Sequence, residues 1–299
     1  MLVKAEELNE LAKIDGGKFK VENIEDAFEF CKKISCGHYE NFPVGSILIP
    51  TAIQKHFFSI YSFARIADDI GDELTKIQTS VFALSCLEKY NNCLEIIYSK
   101  DFEVKNVSNP IFLALHSTIK EFNIPINPFK RLLAAFQRDI LFQEFEDFSS
   151  ILEYCSNSAN PIGELLLYIY NEINNINLSL SDKICSGLQL INFWQDISID
   201  ASRGRSYIPI QLKDISSKEI LLENLYSFTK NLMYDGKSLV KNIKNLRFKI
   251  ELAFIISSGN RMLKKIEQIG TDIFSKRPEL QKLDLFPIVF NAFKILIIN

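Results

Sequence analysis

Asp68, Asp69 and Asp72 sit in SFARIADDIGDE (62–73), a run that otherwise reads as a buried helix. At about 100° per residue, Asp68 and Asp72 stand one above the other, with Tyr61 and Arg65 on the same stripe. Asp69 is turned by one residue step to the edge of that face. A second acidic stripe lies far along the chain, around NFWQDISIDASRGR (192–205). There Gln189, Asn192, Asp196 and Asp200 recur at helical spacing beside LQLINFW, which is core-like. An unpaired buried carboxylate is costly, and two stacked ones repel each other. Two such helices facing each other would make an oxygen-rich cage suited to Mg²⁺. That ion takes one or two carboxylates, keeps waters and draws further ligands from phosphate oxygens. Arg65, Arg203 and Arg205 offer guanidinium forks that match phosphate geometry. Either stripe alone could be a solvated acidic helix edge. Two of them, each in an apolar helix with arginines nearby, argue against that.

The elements that must position these groups are helices. Apolar residues recur at helical spacing almost throughout, without the alternation that marks strands. Helices are predicted over 24–34, 54–76, 80–97, 109–122, 128–140, 160–173, 182–201, 217–244 and 247–269. Pro110, Pro128 and Pro161 stand where a first helical turn accepts proline. In the first of these helices Ala27, Phe28, Phe30, Cys31 and Ile34 line one side. Glycine and proline fall mostly at the joints, and no repeat or linker interrupts the chain. The expectation is one all-α domain over 1–299.

The composition fits a packed, globular chain: 47% hydrophobic and 24% charged over 299 residues, enough for a large core. With a net charge of −3 and no basic block, no nucleic-acid partner is expected. The six cysteines have neither CxxC nor zinc spacing and read as reduced thiols of a cytoplasmic protein. MLVKAEELNELAKIDGG is polar and charged, so no secretory leader is predicted. No apolar run reaches the roughly 18 residues of a membrane span. The tail FPIVFNAFKILIIN (286–299) is apolar but broken by Asn291 and Lys294. It reads as a last core helix or as a peripheral contact with the inner face of the membrane. No GxGxxG follows a strand, so no nicotinamide cofactor is expected.

YSFARIADDIGDE together with QLINFWQDISIDASRGRSYIP resembles the paired signatures of the squalene/phytoene synthase family. The resemblance implies a single-domain isoprenoid-synthase helical fold with two aspartate helices opposed across a central hydrophobic pocket. It implies prenyl diphosphates bound through Mg²⁺, with Mn²⁺ as a substitute, and ionised to carbocations. Within the family, HYENFPVGSILIP (38–50), YCSNSANPIGELLL (154–167), NFWQD (192–196) and ELAFIISSGNRML (251–263) are similar to the hydroxysqualene synthase branch of bacterial hopanoid pathways. That branch takes presqualene diphosphate, releases diphosphate, opens the cyclopropane and lets water quench the cation, with no reductant. A functional link to other hopanoid and squalene enzymes follows. Condensing members carry a phosphate-binding lysine where this chain has Glu40, a different pocket element where it has SANPIG (158–163), and often an arginine at Gln195. These departures favour the lyase over its alternative, head-to-head condensation of farnesyl diphosphate. A non-catalytic assembly factor is less consistent with complete aspartate stripes.

By that resemblance Asp68, Asp72, Asp196 and Asp200 are the metal ligands, with Asp69 and Asn192 as further candidates. Gln189 and Asn192 would hydrogen-bond waters or diphosphate, and Arg65, Arg203 and Arg205 would balance its charge. Tyr154 would stand near the reacting carbons, orienting a water or handling a proton. His38 and Tyr39 would border the diphosphate, and Phe42 would line the pocket. His56 and His116 read as surface or satisfied core residues, Phe63 as a pocket-wall or core aromatic, and Trp194 as packing.

Overall fold

A computed structural model describes residues 3–37 and 49–298; His38, Tyr39, Glu40 and Phe42 lie outside the described residues. Every regular element among the described residues is helical, as the apolar spacing predicts. The chain divides into two compact units, Met1–Phe142 and Gln143–Asn299.

The first unit holds α1 (Ile24–Gly37), α2 (Thr51–Asp72), α3 (Ser80–Tyr98), α4 (Pro110–Phe122) and α5 (Asn127–Ile140). Thr79 caps α3 by accepting from the Phe82 amide, and Asn109 caps α4 ahead of Pro110. Helix α2 packs against the other four. Its inner side is set by Phe63, Ile66, Ala67 and Ile70, all buried. The Phe63 ring stacks on Tyr90 at 5.1 Å and meets Phe112 and Phe129 edge-on, which makes it an ordinary core aromatic. Anchoring that side turns Tyr61, Arg65, Asp68 and Asp72 to the opposite face. His56 and His116 are core residues, held at Nδ1 by Thr118 and by the Ile97 carbonyl.

The second unit holds α6 (Phe148–Ser158), α7 (Asn160–Ile169), α8 (Asn175–Gln195), α9 (Lys218–Gly236), α10 (Leu246–Ile269) and α11 (Leu285–Ile298). Helix α7 stops short of the predicted 173, because Asn171 takes a left-handed φ of 59°. Helix α8 starts earlier than the predicted 182, because Asn174 caps it by accepting from the Asn177 amide. It packs against α6, α7, α9 and α10. Gly236 lets α9 approach closely: a Cβ there would stand 3.1 Å from both the Ile184 nitrogen and the Leu180 oxygen. Trp194 is fully buried and donates to the Thr229 hydroxyl at 2.8 Å, the packing role expected of it. Burial pushes the thiols of Cys31, Cys93 and Cys155 up to about 12, which disfavours the reactive thiolate.

The apolar tail forms α11 and docks on α10. Ile288 and Ala292 are buried, and the Ser257 hydroxyl donates to the Ile288 carbonyl at 2.7 Å. Just before the helix, buried Asp284 accepts from Arg261, Lys265 and the Gln281 amide. Among the described residues no helix is long and apolar enough to cross a membrane.

Glu251 of α10 is 3% exposed and accepts from the Tyr170 hydroxyl at 2.8 Å. Burial pushes its carboxyl up to about 7. The folded chain therefore keeps this proton at pH values where the unfolded chain has lost it. Stability from this group is full below about pH 4.5 and is lost as pH rises to about 7, by about 3 kcal/mol. Glu251→Gln is expected to flatten that slope and to melt above wild type at about pH 8, read by thermal denaturation across the range.

Candidate functional site

On α2 the side chains of the first motif are held unequally. Asp72 is exposed, Asp68 half-buried and Asp69 buried. Asp69 forms a 2.5 Å ion pair with Arg65, whose other terminal nitrogen lies 3.7 Å from Asp68. Arg65 is thus already paired, and Asp69, at the edge of the stripe, is its partner. The Arg65 Nε remains buried with no hydrogen-bond acceptor. Burial, then the charge of Asp72, pushes the Asp68 carboxyl up to about 7, against the pull of Arg65. Asp69 and Asp139 of α5 add to this rise. Sequence reasoning missed Asp139, which belongs to no acidic stripe of its own. Burial also raises the Tyr61 hydroxyl.

The second motif begins on α8 and crosses its end. Asp196 leaves helical geometry at φ −100°, ψ 9°, and a short helix, Ile197–Ser202, follows. Two hydrogen bonds nevertheless run through the kink, from the Asp196 amide to Asn192 O (3.0 Å) and from the Asp200 amide to Asp196 O (2.8 Å). The i, i+4 order of Asn192, Asp196 and Asp200 is therefore kept where the sequence predicts one continuous helix. Gln189, Asp196 and Asp200 are half-buried, and Asn192 is exposed. Burial and the Asp196 charge push Asp200 up to about 6, while Arg203 and Arg205 oppose the shift. The amides of Arg203 and Arg205 both donate to the Asp200 carbonyl, each at 2.9 Å. Gly204, between them at φ 71°, permits that turn. Arg203 is exposed and Arg205 half-buried.

Arg277 is a second residue that sequence reasoning overlooked. Its Nε donates to Asp196 Oδ1 at 2.5 Å, and the neighbouring Pro278 carbonyl accepts from buried Gln195 at 2.9 Å. The position of the expected arginine, Gln195, instead fastens the segment that brings an arginine in from elsewhere.

Tyr154 of α6 is buried, with its ring 5.4 Å from Phe145 and 6.0 Å from Phe193. Tyr207 stacks on Phe193 at 3.9 Å. Tyr154 therefore sits in an aromatic cluster with the residue that follows Asn192.

The described residues contain no group of three or more His, Cys, Asp or Glu side chains able to hold a metal ion. Neither motif is a self-sufficient protein cage. What each offers is a pair of carboxylates one turn apart, one of them an aspartate whose charge burial disfavours. Arg65 adds an unsatisfied buried donor. The carboxylate pairs would suit Mg²⁺ completing its shell with water and phosphate oxygens, and the Arg65 N–H would suit a phosphate oxygen.

A squalene/phytoene synthase family model matches residues 36–284. The hydroxysqualene synthase of Rhodopseudomonas palustris is 27% identical over 269 residues, covering 85% of this chain and 87% of that protein. A phytoene synthase of Arthrospira platensis is 25% identical over 241 residues, covering 76% of this chain and 72% of its own. The crystal structure of squalene synthase HpnC from Alicyclobacillus acidocaldarius superposes with a TM-score of 0.75. It is 28% identical and covers 83% of this chain and 95% of that one. With its all-α isoprenoid-synthase fold and both aspartate motifs inside the matched segment, the chain belongs to the squalene/phytoene synthase family of enzymes acting on prenyl diphosphates.

Proposed function

We propose that the protein is a hydroxysqualene synthase, converting presqualene diphosphate and water into hydroxysqualene and diphosphate. The observation that carries the reading is the likeness to a hydroxysqualene synthase over most of the chain, with both aspartate stripes inside the matched segment. Asp68 and Asp200 are driven toward neutrality by burial and by the aspartate one turn away, which a bound cation would reverse. The relative from Rhodopseudomonas palustris and the residues at Glu40, 158–163 and Gln195 support the lyase within the family. Phytoene synthases among the relatives support the second reading, head-to-head condensation.

In the proposed reaction the Asp68–Asp72 pair and the Asp196–Asp200 pair would each hold Mg²⁺, and Asn192 and Gln189 would hydrogen-bond waters or diphosphate. Bound Mg²⁺ supplies Lewis-acid stabilisation of the leaving diphosphate. Asp69 holds Arg65 rather than metal. The free Nε of Arg65, with Arg203 and Arg205, takes phosphate charge. Arg277, paired with Asp196, is a further cation beside this motif. The C–O bond breaks with its electron pair leaving on diphosphate, the cyclopropane opens, and water adds to the cation and loses a proton. Tyr154 presents its ring to the cation and its hydroxyl to the water. His38 and Tyr39 at the diphosphate, and Phe42 on the pocket wall, complete the proposal. The apolar product leaves into a bilayer, so the protein works as a peripheral visitor to the inner face of the membrane. A prenyl-condensing enzyme must supply its substrate.

Purified protein with Mg²⁺ and presqualene diphosphate is expected to release diphosphate and hydroxysqualene without reductant, and to give little product from farnesyl diphosphate. Efficient condensation of farnesyl diphosphate would move it to the condensing branch.

A further inference from the structure

Helix α11 is apolar on two opposite sides. Its inner side docks on α10 through Ile288 and Ala292, and the ion pairs of Asp284 clamp its start. Its outer side carries Phe286, Phe290, Phe293 and Ile297, which are 75%, 60%, 58% and 81% exposed. At about 100° per residue these four fall within a strip about 60° wide, on the far side from Ile288. Exposed Leu283 and Leu285 extend the patch at its start. A core helix needs one apolar side; a second, contiguous and solvent-facing, marks an interaction surface.

Along the strip and its lead-in the exposed charges have one sign. Over 280–297 the ionisable residues are Lys282, Asp284 and Lys294. Asp284 is buried against Arg261 and Lys265, which leaves the two lysines exposed. The Lys294 ammonium stands 4.5 Å over the centre of the Phe290 ring, a cation on the strip itself. Pairing with a second copy would bring lysines together with no carboxylate on the strip to meet them. An anionic lipid surface meets them with phosphates. Fourteen residues of helix rise about 21 Å, short of the roughly 30 Å hydrocarbon layer, so α11 can lie in the interface but not cross it.

We infer that the outer face of α11 docks the protein on an anionic bilayer. Phe286, Phe290, Phe293 and Ile297 enter the boundary between headgroups and acyl chains, and Lys282 and Lys294 face lipid phosphates. This deepens the proposed function, whose apolar product needs a bilayer, but the contact itself is measured without substrate.

The test is co-sedimentation of the full chain with vesicles of phosphatidylcholine, alone or with about one-third phosphatidylglycerol. Wild type is expected to bind the anionic vesicles. Phe290→Ser with Phe293→Ser should lower the partition coefficient at least about tenfold while the melting curve stays unchanged, since both rings are exposed. Lys294→Glu should weaken binding to anionic vesicles and leave the phosphatidylcholine result as it was. No binding to either vesicle, or a double variant that binds as well as wild type, overturns the inference. So does a wild-type dimer in light scattering that the double variant dissociates while neither protein binds lipid. Vesicle binding by a protein inactive on presqualene diphosphate supports the inference and contradicts the proposed function alone.

Discussion

Asp68→Asn is expected to lower turnover of presqualene diphosphate at least about a thousandfold, about 4 kcal/mol of lost transition-state stabilisation, without unfolding the protein. The two halves of this expectation have separate causes. Turnover falls because an amide is a poor ligand for a hard cation and cannot help gather the charge of a leaving diphosphate. The fold persists because Asp68 gives the metal-free protein little. Burial and Asp72 disfavour its charge, and its contact with Arg65 is long, at 3.7 Å. Asp69 keeps the close pair with Arg65 when Asp68 is neutralised. The melting temperature at about pH 8 should match or exceed that of wild type. Asp196→Asn should also lose turnover, but there the pair with Arg277 is sacrificed, and a small destabilisation is expected. Steady-state kinetics beside calorimetry of both variants reads the two effects. Gross unfolding of Asp68→Asn would make the stripe structural.

Asp284→Ala should have the largest effect on stability. One buried carboxylate accepts from Arg261 and Lys265 of α10 and from the Gln281 amide ahead of α11. These donors, the amide first, hold Asp284 well below the usual carboxylate range. Its contribution is therefore present above about pH 4 and is lost only as acid protonates it. Truncation strands two largely buried cations beside each other, a loss of about 3 kcal/mol. A drop in melting temperature of several degrees, with earlier proteolysis within 285–298, is the expected reading. Asp284→Asn, which can still accept from the amide, should fall between the two. An unchanged melt for Asp284→Ala would show that α11 is held by its apolar contacts alone.

The helices were legible because burial imposes its period on apolar side chains, and α2 shows how far that goes. Phe63, Ile66, Ala67 and Ile70 fix the core side, so the acidic face follows from counting residues. The kink at Asp196 was not legible, since hydrogen bonds on either side of it keep the helical order of the side chains. The pairing of Arg65 had a signal, its i, i+4 spacing to Asp69, which competes in the sequence with the i+3 spacing to Asp68. Arg277 had none. It reaches Asp196 across 81 positions, and a Lys-Arg pair before a proline carries no period or motif. The two-sidedness of α11 lay in its sequence as spacing, but only packing on α10 decides which apolar side faces out.

The reaction itself is read most directly by running it in ¹⁸O-labelled water with Mg²⁺, presqualene diphosphate and no reductant. Cleavage of the C–O bond followed by water capture places one labelled oxygen on hydroxysqualene and leaves the released diphosphate unlabelled. An unlabelled alcohol beside labelled phosphate would mean attack at phosphorus. A hydrocarbon product, or none without farnesyl diphosphate, would equally contradict a hydroxysqualene synthase.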